Sequence, residues 1–148
     1  MATIRDLINR IKQAKAELIA NREADALRIA FDQIALVKLR IQQSGQSASG
    51  GAFLPYTPAY AKQRKEAGYQ VGFVDFTRTG RLFASISPRV ESSNVFSATI
   101  VIEPDTEEGK KILQGLSNKR GNILEPSQQE LEIVRAANRR RILSYFNF

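Results

Sequence analysis

Along the first forty residues the hydrophobic positions fall three and four apart, the spacing of an amphipathic helix. Ile4, Leu7, Ile8, Ile11, Ala14 and Leu18 make one stripe over residues 3–20. Leu27, Ala30, Ile34, Val37 and Ile41 make a second over residues 22–43, with Phe31 beside it. At about 100° per residue the second stripe is rotated by more than about 90° from the first. Either the chain breaks near Ala20-Asn21-Arg22, with Asn21 as N-cap and Glu23 in the new first turn, or one long helix shows two faces to two neighbours. Ile29, Leu36 and Leu39 lie off the second stripe, on a side shared with Arg22, Asp25, Asp32 and Arg40. They are either scattered surface aliphatics or the mark of a helix covered twice, by its own core and by another subunit.

Beyond the helical region the pattern shortens. Residues 44–52 are Gly- and Ser-rich and predict a flexible loop. Phe53-Leu54-Pro55-Tyr56 is extended and apolar, and Thr57-Pro58 starts a short helix that Gly68 stops. Thr79-Gly80-Arg81-Leu82 opens another short helix through Ser85, with Leu82, Phe83 and Ile86 buried. A strand to Val90, interrupted by Pro88, a turn at Ser92-Ser93-Asn94 and a strand over 95–102 predict a hairpin. In the second strand Phe96, Ala98, Ile100 and Ile102 share one face. Pro104-Asp105-Thr106 opens a helix over 106–116, followed by a polar loop at Ser117–Asn122. Ser127 and Glu130 form a capping box for a last helix to Tyr145. The fold class is therefore α+β: a small antiparallel sheet packed by long N-terminal helices, short central helices and a C-terminal helix. One domain of 148 residues is expected, with a helical region at 1–43, a loop at 44–52, an α+β core at 53–126 and a C-terminal helix and aromatic tail at 127–148.

Composition narrows the chemistry. The chain has neither cysteine nor histidine, which removes disulfides, thiolate metal sites, the commonest general base and the usual Ser-His or Cys-His arrangements. The acids Glu103, Asp105, Glu107 and Glu108 cluster tightly, but a helix N-terminus accounts for them and no EF-hand glycine is present. Gly50-Gly51 is no phosphate loop, and no Walker-type motif occurs. The expectation is of no enzyme, no cofactor and no metal. No run approaches the roughly 20 apolar residues of a membrane span, and the N-terminus lacks the apolar core of a signal peptide. A net charge of +7 favours acidic protein surfaces or nucleic acid.

The C-terminus carries Arg139-Arg140-Arg141 ahead of Tyr145, Phe146 and Phe148. Cations suit a helix C-terminus, but a cationic triplet before a run of aromatics goes beyond capping. A tail docking into a partner subunit is the leading expectation, ahead of one folded onto its own core or one binding nucleic acid. The candidate partner contacts are Ile29, Leu36, Leu39, Phe53, Tyr56, Arg139, Arg140, Arg141, Tyr145, Phe146 and Phe148.

Taken in order, these motifs resemble the virion-morphogenesis and tail-completion family of tailed bacteriophages, small proteins that join head to tail. The resemblance rests on Phe53-Leu54-Pro55-Tyr56, the helix with Tyr60 and Arg64, Thr79-Gly80 with Leu82, and the hairpin. It continues through a helix ending at Gln114-Gly115, Arg120 before Ile123-Leu124, and Ser127 to Glu130. It spans residues 50–145, with the N-terminal helices matching only in kind. Where the family often has a His before its Gly and an aromatic after its Arg, this chain has Gln114 and Gly121.

The resemblance implies a structural protein of the virion that forms a ring in the neck, at the head–tail connector or at the tail end. The partners implied are copies of itself, a hexamer or dodecamer being favoured, together with portal, connector and tail proteins. Packaged DNA would lie nearby and no membrane is involved. The place implied is the virion, and the host bacterial cytoplasm during assembly. The rival reading is a small basic nucleic-acid-binding protein.

Overall fold

The computed structural model describes residue 1 and residues 3–147. Helix α1 runs unbroken from Ile4 to Ser44, 41 residues and about 60 Å. Thr3 and Asp6 form a reciprocal capping box at its start, and Gly45 ends it at φ 61°. Of the two arrangements open in the sequence, the continuous helix is the one formed. Asn21 caps nothing: its amide donates back to the Glu17 carbonyl within the helix, at 2.9 Å. The second stripe packs within this chain, whereas the first is exposed as far as Gln13.

The second stripe builds the core. Ile34, Val37 and Ile41 pack with Leu82 and Phe83 of α3 (Arg81–Ser85), with Ile86 and with Ile123. Each such side chain contributes about 1.5–3 kcal/mol by leaving water. Strands β1 (Ile86–Ser93) and β2 (Ala98–Pro104) form a two-stranded antiparallel sheet, Ile86 opposite Pro104 and Ser93 opposite Ala98. The register slips between Val90 and Ser92, a bulge at Glu91. The sheet and α1 enclose the core on two sides, the α+β architecture expected from the pattern.

Several boundaries differ from the sequence reading, each for a local reason. Ser92 and Ser93 belong to β1, and the turn is at Asn94–Ser97, where Asn94 Oδ1 accepts from the amides of Phe96 and Ser97. Val95 and Phe96 therefore lie at the hairpin tip, outside the strand, and Phe96 is fully exposed. Helix α4 spans Glu107–Arg120 and runs straight through Gly115, so residues 117–120 are helix and not loop. Leu113 and Leu116 hold that helix against the core, and it stops only where Gly121 takes φ 74°.

Helix α2 (Pro58–Glu66) starts on a Thr57 cap, and α5 (Gln128–Ser144) starts on the expected box of Ser127 and Glu130. The segment before α2 is tied to α1: Phe53 donates its amide to the Gly45 carbonyl at 3.1 Å, closing the Gly/Ser loop. Helix α5 lies antiparallel to α1. Arg40 meets Glu130 at 2.7 Å, Arg141 meets Asp32 at 3.6 Å, and Tyr145 reaches Asp25 at 2.6 Å, positions falling along α1 as they rise along α5.

Candidate assembly surfaces

Three arginines fix the irregular segments that flank the surfaces. Arg64, on α2, is 2% exposed. Its guanidinium pairs with Asp75 at 3.1 Å and donates to the carbonyls of Gln70 and Thr77 at 3.2 and 2.9 Å. The rings of Tyr56, Tyr60 and Tyr69 surround it at 4.5, 5.9 and 5.4 Å. Burial alone would raise the Asp75 carboxyl, but hydrogen bonds from Gln70, Thr77 and Tyr56 and the Arg64 charge outweigh it and hold the group below its ordinary range. Arg40 gathers Glu130 and the carbonyls of Gln46 and Glu125, so α1, the Gly/Ser loop and the start of α5 meet at one side chain. Arg120 does the same for α4, bonding the Leu54 carbonyl and covering the Phe76 ring at 5.5 Å.

These contacts locate two of the candidate residues. Phe53 sits half-buried against the core, edge-on to Phe76 at 4.8 Å. Tyr56 donates to Asp75 at 2.9 Å and covers Arg64. The sequence offered both as partner contacts, and the contacts they make are within the chain.

The tail also turns inward. The Tyr145 hydroxyl donates to Asp25 Oδ2, and that bond, with burial, raises the phenol above its ordinary pKa. Phe146 is half-buried. Arg141 pairs with Asp32, while Arg139 and Arg140 are exposed. As far as Phe146 the tail lies along its own α1, the arrangement ranked second in the sequence, because the carboxylate of Asp25 sits where α5 ends. Phe148 lies outside the described residues.

The side of α1 that carries Ile29, Leu36 and Arg40 is accordingly covered in part by α5 of the same chain. Leu36 is half-buried, and Leu39 stays half in solvent. Ile29 has a different setting. With Leu18, Ala26, Phe96 and Ile142 it lines an open groove of about 280 Å3 between the hairpin tip and the end of α5. Arg22 also lines it, and its Nε is buried with no hydrogen-bond partner among the described residues.

The larger feature is the first stripe itself. Every described residue from Thr3 to Gln13 is exposed, with Tyr145 of the tail bordering Arg10 and Gln13 across an open pocket. Ile4, Leu7, Ile8 and Ile11 form an apolar stripe on this overhang, Ile4 being 80% exposed. Ala14 alone of the first stripe is buried beside the tail. Elsewhere on α1, Phe31 is 56% exposed.

Among the described residues no three acids group closely enough to hold a metal ion, and no helix is long and apolar enough to cross a membrane. Comparison with family models, with curated proteins and with solved structures returned no match.

Proposed function

We propose that this chain is a structural subunit of a tailed-phage virion, assembling into a ring at the neck, the head–tail connector or the tail end. The observation that carries the reading is the overhang: an apolar stripe of Ile4, Leu7, Ile8 and Ile11 held in solvent by a rigid helix. A lone exposed aliphatic needs no explanation, but exposed aliphatics repeating at helical spacing mark a docking face. Phe31 and Leu39 add exposed apolar surface on a different side of α1. A ring subunit uses a heterologous interface, which requires two different surfaces on every copy. The order of motifs from Phe53 to Glu130 supports the phage assignment within that class.

Native mass spectrometry of the purified chain, freed of nucleic acid and taken over a range of concentrations, tests this. A discrete closed species such as a hexamer or dodecamer is the expected result. A monomer at every concentration, with binding to duplex or single-stranded DNA that weakens steeply as salt rises, overturns it in favour of the nucleic-acid reading, for which the exposed Arg135, Arg139 and Arg140 of α5 would serve.

A further inference from the structure

We infer that the small recess lined by Gln33 and Lys38 of α1, and closed by Ile86, Ile102 and Leu124, takes one oxygen of a carboxylate. The inference does not depend on the assembly reading.

The recess holds an amide donor with nothing to bond. Gln33 is 8% exposed, and its Nε2 is buried with no hydrogen-bond partner among the described residues. A donor shut away from water and left unpaired opposes folding, and buried polar groups are normally satisfied. The positions one turn away on α1 are Ile29, Ala30, Leu36 and Val37, so no neighbouring side chain of the helix accepts from it. The facing walls, Ile86, Ile102 and Leu124, are equally apolar. In a sealed core an apolar residue of the same shape would serve better than this glutamine.

Lys38 is the second polar residue of the lining. It makes no hydrogen bond or ion pair among the described residues, and the positions one turn away, Ile34, Ala35, Ile41 and Gln42, carry no acid. Burial lowers its pKa from the ordinary value, because the charged form has lost water without gaining an anion.

Size and charge then name the occupant. The free volume is about 10 Å3, close to one water-sized sphere. A whole molecule does not fit, but the tip of a group presented at the mouth does. The unpaired amide N–H donates, and an ammonium can only donate, so the group must accept. The unpaired cation selects an anionic acceptor, which charge-assisted bonds hold more firmly than a neutral carbonyl. A trapped water would accept from the same donors but leave its own hydrogens facing aliphatic walls.

Acetate is the probe, followed through the side-chain amide of Gln33 in proton–nitrogen NMR spectra. Gln33→Leu identifies the two amide signals by their loss. In the wild type, rising acetate at constant ionic strength should move them to a plateau, whereas chloride and acetamide should not. Lys38→Met, which keeps the stem and loses the charge, should weaken the acetate response at least tenfold with circular dichroism unchanged. Signals that ignore acetate, that respond equally to chloride, or that respond undiminished in Lys38→Met overturn the inference. A cross-peak from these protons to a long-lived water that acetate does not displace also overturns it, in favour of trapped water. Once the plateau is established, the protein without acetate shows the source of the carboxylate. Signals that move toward the plateau as protein concentration rises assign it to a second copy of this chain, and signals that stay in place assign it to a different molecule.

Discussion

The hydroxyl of Tyr145 donates a 2.6 Å hydrogen bond to Asp25, a residue 120 positions earlier in the chain. That bond pins the end of α5 to the middle of α1. It therefore fixes where cover ends along α1 and where the overhang begins.

Tyr145→Phe should lower stability by about 1 kcal/mol, since a partly exposed bond to a carboxylate is lost while the ring still packs. The phenol is raised above its ordinary value of 10.0 in the folded chain. Its contribution is present in full below pH 10 and disappears as pH rises through the raised folded value. Thermal melts of both proteins between pH 7 and about 11 check this, the wild type losing its advantage only at the alkaline end.

Arg64→Ala should cost about 3–5 kcal/mol, because it leaves Asp75 ionised and buried without its cation. Arg64→Lys should restore little, since a single ammonium cannot reach Asp75, Gln70 and Thr77 together or lie flat among the tyrosines. Urea denaturation measures both. A lysine variant as stable as wild type would show that point charge alone suffices.

Asp75 itself gives an acid-side signature. Its pKa is lowered below the ordinary 3.8, so its stabilising effect is complete above that value and fades as pH falls through the lower folded one. Asp75→Asn should be less stable at pH 7 and show a shallower loss of stability below pH 4. Chemical denaturation at a series of acid pH values reads out that difference in slope.

Gly109→Ala should destabilise the fold by about 1–3 kcal/mol through overpacking. A Cβ there would run into Ser85 Oγ and come within 2.7 Å of Pro104 Cβ, and neither has room to move where α4 starts against the end of β2. The same substitution at Gly115, where nothing lies within 4 Å, should be neutral or stabilising, because alanine is the better helix former. Comparing the two melting temperatures isolates packing from propensity.

Local chemistry in the sequence determined a good part of this protein. The Thr57 and Ser127 caps, the Pro58 start, Gly68 and Gly80 at positive φ, and the α3–hairpin order all follow from side-chain hydrogen bonding and backbone sterics within a few residues. Those forces act alike in any context, so they are legible without a fold. Continuity at Asn21 was not legible, because an Asn-Arg-Glu run suits a cap or a helix interior equally and only the packing of α1 against its neighbours chooses. Nor could Gly115 be told from a stop, since the pull of Leu116 on the core decides it.

The assembly surfaces were divided in the same way. Periodicity found the stripe from Ile4 to Leu18 but could not say whether it faced a core or solvent, as the two look identical in one dimension. In the structure Ile4, Leu7, Ile8 and Ile11 of that stripe are exposed, Leu18 is half-buried and Ala14 is buried. Phe53, Tyr56 and Tyr145, offered by the sequence as partner contacts, make contacts with Phe76, Arg64 and Asp25 of the same chain. Residue type set what each side chain is able to bind. Only the tertiary structure, by bringing distant charges and rings within reach, decided which of them were still free to bind it.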